Sequence, residues 1–87
     1  MNEPEMFILT LIFGTENYET DMELPAELPV GELRRKLLEV LKNLYEGEFA
    51  GWKSCVLEHD YHILDDKDTL MSAGVYDGSR LYVIESD

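Results

Sequence analysis

The spacing of apolar residues changes from a period of two to a helical period between Leu24 and Val30, and this change restricts the possible folds most. Before it, residues 18–24 alternate. One face holds Tyr18, Thr20, Met22 and Leu24, and the other holds Glu19, Asp21 and Glu23. Such alternation predicts a half-buried strand with an acidic outer face. Pro25 and Pro29 then end the strand, because proline cannot donate a backbone hydrogen bond.

A single apolar stripe runs along the segment after Pro29. It consists of Leu33, Leu37, Leu41 and Leu44, joined by Val30 and Leu38. Leucines three to four residues apart fall on one side of a helix, so the stripe predicts a helix over about residues 30–44. No Ser, Thr, Asp or Asn stands at its start, and the sequence therefore leaves open how the first turn is capped.

Strand patterns flank the predicted helix. Residues 6–13 form a β-branched and aromatic run that ends at Gly14 and predicts the first strand of a hairpin. After the helix, the patterns predict strands at Trp52–Glu58, around Tyr61–Leu64 and at Arg80–Glu85, with a turn at His59–Asp60. The predicted class is α+β, a mixed sheet of about five strands crossed by one main helix, which is the β-grasp arrangement.

Length and charge restrict the partners. With 87 residues, we expect a single domain over residues 1–87, with residues 1–5 as a flexible N-terminus. The formal net charge of −12 disfavours nucleic acid and anionic lipid as partners. It is compatible with a basic protein partner, or with a surface that only keeps the domain in solution. The chain starts without a recognisable secretion signal, and its longest apolar run is too short to span a membrane, so we expect a cytoplasmic protein without direct membrane insertion.

Residues that could carry chemistry do not form a recognisable constellation. Cys55 is the only cysteine, which excludes an internal disulfide and a cysteine-based zinc site, and its position predicts a small core residue. His59 and His62 flank a predicted turn, and the aspartates at 65, 66 and 68 lack the ligand spacing of a calcium loop. We therefore predict no catalytic residue, no metal site and no cofactor, and a protein that is not an enzyme.

Strand alternation instead predicts a binding face. The first strand is apolar on both faces, so its register is ambiguous, and we prefer Phe7, Leu9, Leu11 and Phe13 as the inward set. On that choice, one exposed apolar patch would comprise Trp52, Val56, Tyr82, Ile84, Ile8 and Ile12. Such patches mark interaction sites, and Trp and Tyr are enriched at binding hot spots. The alternative is that loops cover some of these side chains, or that they are scattered singly.

The C-terminal third resembles ubiquitin in its spacing. The resemblance is carried by residues 64–70 (Leu-Asp-Asp-Lys-Asp-Thr-Leu), by Gly74-Val75 and by the closing strand at residues 81–84. Among ubiquitin-like proteins, the chain is most similar to the bacterial YukD or EsaB family, which accompanies type VII (WXG100, ESX-like) secretion. That similarity rests on chain size, on Trp52 and on the pattern Thr69, Leu70, Gly74, Val75, Gly78 and Leu81. It implies a protein-binding accessory or regulatory component whose partners belong to the secretion machinery.

Two departures from ubiquitin bear on function. The sequence ends Ile84-Glu85-Ser86-Asp87, without the Gly-Gly that conjugation and sulfur transfer require. We therefore expect a non-conjugated protein, and the alternative is a covalent modifier or sulfur carrier. Ubiquitin's central hydrophobic recognition residue falls on Glu58, so we expect ordinary ubiquitin-binding domains not to recognise this chain. The oligomeric state stays open.

Overall fold

A computed structural model describes residues 4–87 and contains five strands and one main helix. The elements are β1 (Met6–Phe13), β2 (Tyr18–Pro25), α1 (Val30–Leu44), β3 (Ser54–His59), β4 (His62–Ile63) and β5 (Arg80–Ser86). The strands form one sheet in the order β2-β1-β5-β3-β4. Only the central pair β1–β5 is parallel. The predicted mixed sheet with one helix at residues 30–44 is confirmed. No helix among residues 4–87 is both long and apolar enough to cross a membrane.

Two local boundaries differ from the prediction. Strand β3 begins at Ser54 rather than Trp52, because a series of turns leads up to it and the Trp52 amide donates to the Phe49 carbonyl at 3.1 Å. The turn of the following hairpin lies at residues 60–61 rather than 59–60, since His59 pairs directly with His62. This leaves a two-residue loop with both φ angles positive, the turn geometry that matches the twist of a hairpin.

The predicted flexible N-terminus covers residues 1–5, of which residues 1–3 lie outside the described part of the chain. Glu5, just before β1, is held by its backbone, because its carbonyl accepts a hydrogen bond from the Ala26 amide at 2.9 Å. That bond connects the start of β1 to the segment that follows β2, and extends the contact between the two strands by one residue.

The core lies between α1 and one face of the sheet, called here the inner face. The preferred register of β1 is confirmed, because Phe7, Leu9, Leu11 and Phe13 are all buried. They pack with buried residues of the helical stripe and of the other strands, namely Leu33, Leu37, Leu41, Cys55, Leu57, Leu81 and Val83. Leu44, at the end of the predicted stripe, is exposed instead. Within residues 4–87, no helix packs on the opposite, outer face of the sheet.

The start of α1 is capped by backbone carbonyls of a distant turn. The amides of Val30 and Gly31 donate to the carbonyls of Asp68 at 2.7 Å and Asp66 at 3.1 Å. The next amide, of Glu32, donates to the Pro29 carbonyl at 3.0 Å. These bonds satisfy first-turn amides that have no partner within the helix. The turn at residues 65–68 therefore replaces the capping side chain that the sequence lacks.

Side chains reinforce this contact. Arg34 donates two hydrogen bonds to the Asp66 carboxylate, from Nε to Oδ1 at 2.8 Å and from Nη2 to Oδ2 at 2.9 Å. These bonds, and the positive charges of Arg34 and Arg35, hold the pKa of Asp66 below its ordinary value of 3.8. Gly31 allows the close approach, because a β-carbon there would lie only 3.0 Å from the Cβ of Asp66.

We predict that Leu37→Ala lowers the free energy of unfolding by about 2–5 kcal/mol, because the side chain is 2% exposed and its removal leaves a cavity. Leu44→Ala is the matched control on the same helix, where the leucine is 61% exposed and the expected change is within about 0.5 kcal/mol. Chemical denaturation measures both values. Equal losses for the two variants would contradict the assigned helix face.

We also predict that Asp66→Asn, which removes the ion pair with Arg34, lowers the free energy of unfolding in a pH-dependent way. The folded state depresses the pKa of Asp66, so the ionised carboxylate stabilises the fold above pH 3.8 and this contribution is lost as the pH falls through the folded pKa. The wild type should exceed the variant in stability at pH 7, by at most about 1 kcal/mol for such an exposed pair. The difference should shrink as the pH falls below 3.8. A difference independent of pH in denaturation experiments would assign the effect to something other than this ion pair.

Candidate protein-binding surface

The outer face of the sheet contains a row of side chains that crosses all five strands. The row consists of Glu19, Ile12, Tyr82, Glu58 and Ile63, each the register partner of the next. A neighbouring row pairs Ile84 with Val56. Ile84 and Val56 lie side by side because they share a register row and a face. Tyr82 is two residues before Ile84 on the same face of the same strand, so the three side chains are close neighbours. Strands distant in sequence thus meet on this face.

Several apolar side chains of the outer face are open to solvent. The exposed fractions are 52% for Ile8, 41% for Tyr82 and 38% for Ile84, and Val56 is half-buried. Ile63 is 54% exposed beside Glu58 and was missed by the sequence analysis. The pairing of β4 with β3 places it there, and a strand of two residues gives no alternation by which the sequence could have indicated it.

Ile12 is a correction to the predicted exposed patch, because it points outward and is nevertheless only 2% exposed. An ion pair above it explains the burial. Arg80 of β5 and Glu19 of β2 lie on opposite sides of β1, and Nη2 of Arg80 is 3.1 Å from Oε2 of Glu19. The two side chains therefore cross over β1 between Thr10 and Ile12. Tyr82 flanks Ile12 on the side of β5.

Trp52 is a second correction. It lies before β3, is half-buried, and packs edge-on against the buried ring of Phe49 with ring centroids 4.8 Å apart. It therefore belongs mainly to the core, although it borders a shallow depression shared with Ile12, Tyr82 and Ile84 at one end of the outer face.

Ile8 is separated from the other exposed residues. Between it and Tyr82 lies the row of Asp21, Thr10 and Arg80, in which the Thr10 hydroxyl donates to Asp21 at 2.8 Å. This polar row divides the predicted patch in two. The contiguous part consists of Tyr82, Ile84 and Val56 and continues past Glu58 to Ile63, and we call it the β5–β3 patch.

A cleft of about 390 Å³ opens at the end of the outer face next to the β3–β4 turn. Its lining includes the tyrosines at 61, 76 and 82, together with Glu58, His59, Asp60 and Arg80. Tyr61 is 93% exposed at the tip of the hairpin, and Tyr76 is 65% exposed in the loop before β5. Sequence spacing did not reveal the cleft, because its walls come from two separate parts of the chain.

Cys55 has the environment of a structural residue. Its side chain is 1% exposed, and its Sγ lies 3.5 Å from the Arg34 carbonyl, to which it can donate. Burial raises the pKa of the Cys55 thiol to about 11, although the nearby Arg34 partly opposes the shift. The thiol is therefore protonated at neutral pH, which makes it a poor nucleophile. Across residues 4–87, no three His, Cys, Asp or Glu side chains meet in a way that could hold a metal ion.

The protein-family model described as "WXG100 protein secretion system (Wss), protein YukD" matches residues 8–83 of the chain. No protein of curated function matches the chain in sequence.

Solved structures give several matches. The ubiquitin-like domain of the type VII secretion system protein EccD1 from Mycobacterium tuberculosis is 23% identical, with a TM-score of 0.76, and the match covers 93% of this chain and 99% of that one. The EccD5 ubiquitin-like domain from Mycobacterium xenopi is 20% identical, with a TM-score of 0.75, over 97% and 98%. At these identities the two matches establish the ubiquitin-like fold.

A third structure, a MycP5-free ESX-5 inner membrane complex, contains a longer chain that is similar over part of its length. The identity is 27% and the TM-score 0.72, and the match covers 97% of this chain but only 22% of that one. The chain thus corresponds in size to the ubiquitin-like domains alone, and to about a fifth of the chain in that complex.

We predict that Tyr61→Gly raises the free energy of unfolding by about 0.5–1 kcal/mol. Tyr61 has a φ of +69°, a conformation that is strained for a residue with a Cβ and free for glycine, while the added freedom of the unfolded chain offsets part of the gain. Tyr76→Gly, at another exposed tyrosine without a positive φ, should lower stability. Thermal or chemical denaturation measures both, and a loss at Tyr61 would mean that the turn is not strained.

Proposed function

Because the chain belongs to the YukD family of the WXG100 protein secretion system, we propose that it is a protein-binding module that acts non-covalently, as an accessory or regulatory component of a type VII-like secretion system. Its partners would be proteins, including components of the secretion machinery. It would work in the cytoplasm, without catalysis and without inserting into the membrane.

The observation that carries the proposal is the β5–β3 patch. Tyr82 and Ile84 are exposed on a strand whose alternate side chains Leu81 and Val83 are buried in the core. Tyr82 and Ile84 are therefore not needed to hold the helix on the sheet. Exposed apolar side chains that adjoin one another on a rigid sheet favour a binding role, because water is displaced from them when a partner docks. A tyrosine at the centre can supply a large share of the binding energy.

The similar structures support a partner in the secretion machinery. The matched domains of EccD1 and EccD5 are ubiquitin-like domains, the first of them described as part of a type VII secretion system protein. A region of similar fold occurs within an ESX-5 inner membrane complex. A separate protein with the same fold could make comparable contacts without being covalently part of such a complex.

We predict that Tyr82→Ala weakens binding of the partner about 30-fold or more, because loss of a hot-spot aromatic residue costs at least about 2 kcal/mol. Affinity capture from the native cell, with identification of the bound proteins, supplies the partner, and a titration then measures each variant. Tyr18→Ala is the matched control, since Tyr18 is 43% exposed and Tyr82 is 41% exposed, but Tyr18 does not belong to the patch. Tyr18→Ala should bind like the wild type.

Two results would contradict the proposal. If Tyr82→Ala binds like the wild type while Arg35→Glu abolishes binding, the recognition surface is the helix and not the sheet. If no component of a secretion system is captured, and the captured partner is unrelated to secretion, the assignment of partner class fails. Circular dichroism confirms that each variant remains folded, so that loss of binding is not loss of structure.

A further inference from the structure

We infer that the tyrosine-lined cleft at the β3–β4 end of the outer face binds an arginine side chain of the protein partner. The inference rests on the proposed function, because it names the chemistry of one part of the same face. It adds a ligand class and a recognition site that the exposed β5–β3 patch alone does not specify.

The aromatic walls of the cleft are fixed by backbone and side-chain contacts. Tyr76 and Ser79 bond reciprocally, with the Tyr76 amide donating to the Ser79 hydroxyl at 3.0 Å and the Ser79 amide donating to the Tyr76 carbonyl at 2.9 Å. The ring of Tyr76 meets that of His59 at 90°, with centroids 6.5 Å apart. The Tyr76 side of the cleft is therefore held in place before any ligand arrives, which reduces the entropy lost on binding.

The loop that carries Tyr76 is also tied to β1. The Gly78 amide donates to the Ile8 carbonyl at 2.8 Å, and the Ile8 amide donates to Oδ1 of Asp77 at 2.7 Å. On the opposite wall, the hairpin presents Tyr61 in its strained conformation, almost fully exposed.

The charges of the cleft favour a cation. Glu58 lies in its floor, next to Tyr82 in the sheet register, and is half-buried. Within the described residues 4–87, neither Glu58 nor Asp60 forms an ion pair. The one arginine of the lining, Arg80, is paired with Glu19 on the far side of β1. A partly buried carboxylate without a cation is stabilised when a ligand brings one.

Arginine fits this combination better than other cationic side chains. Its guanidinium is planar, so it can stack on a tyrosine ring while its N–H groups donate to a carboxylate. The tyrosines supply ring faces and Glu58 supplies the carboxylate in one cleft. The overall charge of −12 draws a basic segment towards the protein from a distance.

The test is a nuclear magnetic resonance titration of the full-length, ¹⁵N-labelled protein with the peptide acetyl-Ala-Arg-Ala-amide. We expect saturable shifts of the backbone amides of Glu58, Tyr61, Gly78 and Tyr82. The same peptide with citrulline, a neutral and planar analogue of arginine, should bind about tenfold more weakly. Tyr61→Ala should weaken binding of the arginine peptide about threefold or more.

The decisive comparison is between Glu58→Gln and Glu23→Gln. Both remove one negative charge from the outer face, but Glu23 is the exposed register partner of Ile8, away from the cleft. Glu58→Gln should weaken the arginine peptide about fivefold or more, and Glu23→Gln should leave it unchanged. Equal effects of the two variants, or equal binding of arginine and citrulline peptides, would overturn the inference. A lysine peptide that binds as tightly as the arginine peptide would also overturn it, since stacking of a planar cation would then play no part.

Failure of this inference is distinguishable from failure of the proposed function. If the arginine peptide produces no saturable shift while Tyr82→Ala still abolishes capture of the partner, the β5–β3 patch binds the partner and only the arginine site is wrong. If the peptide binds as expected and Ile84→Ala, a variant of a patch residue outside the cleft lining, does not affect capture, the arginine site stands and the proposed patch is wrong.

Discussion

The docking of the α1 N-terminus on the turn at residues 65–68 is the contact on which the rest of the structure depends. The carbonyls of Asp66 and Asp68 satisfy the amides of Gly31 and Val30, and Arg34 holds the Asp66 carboxylate with two hydrogen bonds. The contact joins parts of the chain about 35 residues apart, and a backbone bridge between Pro29 and Thr69 extends it. It fixes both the direction of the helix and the path of the chain between β4 and β5. The acidic turn of the ubiquitin-like motif is therefore a helix cap in this protein.

Because the helix packs on the inner face, side chains on the outer face do not have to contact it and can differ from those of ubiquitin. One ion pair organises it: Arg80 and Glu19 cross over β1, bury Ile12, and separate Ile8 from Tyr82. The same pairing directs the positive charge of Arg80 towards β2. Among residues 4–87, Glu58 and Asp60 are the carboxylates of the cleft lining that form no ion pair. This surface contact thus borders both the β5–β3 patch and the cleft next to it.

In this member of the YukD family, the position of Glu58 restricts which chemical groups a partner can bring to the outer face. Glu58, which the sequence resemblance aligns with the central hydrophobic recognition residue of ubiquitin, is a half-buried carboxylate flanked by Tyr82 and Ile63. A partner that covered this face with apolar side chains alone would bury an unpaired charge, which is costly. A partner that brings a cation to Glu58 and apolar groups to Ile84 and Val56 would satisfy both parts. The proposed functions of the patch and the cleft are therefore complementary.

The sequence by itself determined the order of the elements and, for strands with one polar face, the direction in which their side chains point. The period-two and helical patterns placed β1, β2 and α1 at their observed bounds to within one residue, and separated the inward Leu81 and Val83 from the outward Tyr82 and Ile84. Only the tertiary structure decided which outward side chains reach solvent. Ile12 is buried by residues of two other strands, Trp52 is drawn onto Phe49, and Ile63 joins the face through a pairing too short to leave a pattern. The physical reason is that periodicity depends on the geometry of one strand, whereas exposure depends on neighbours that only the fold brings together.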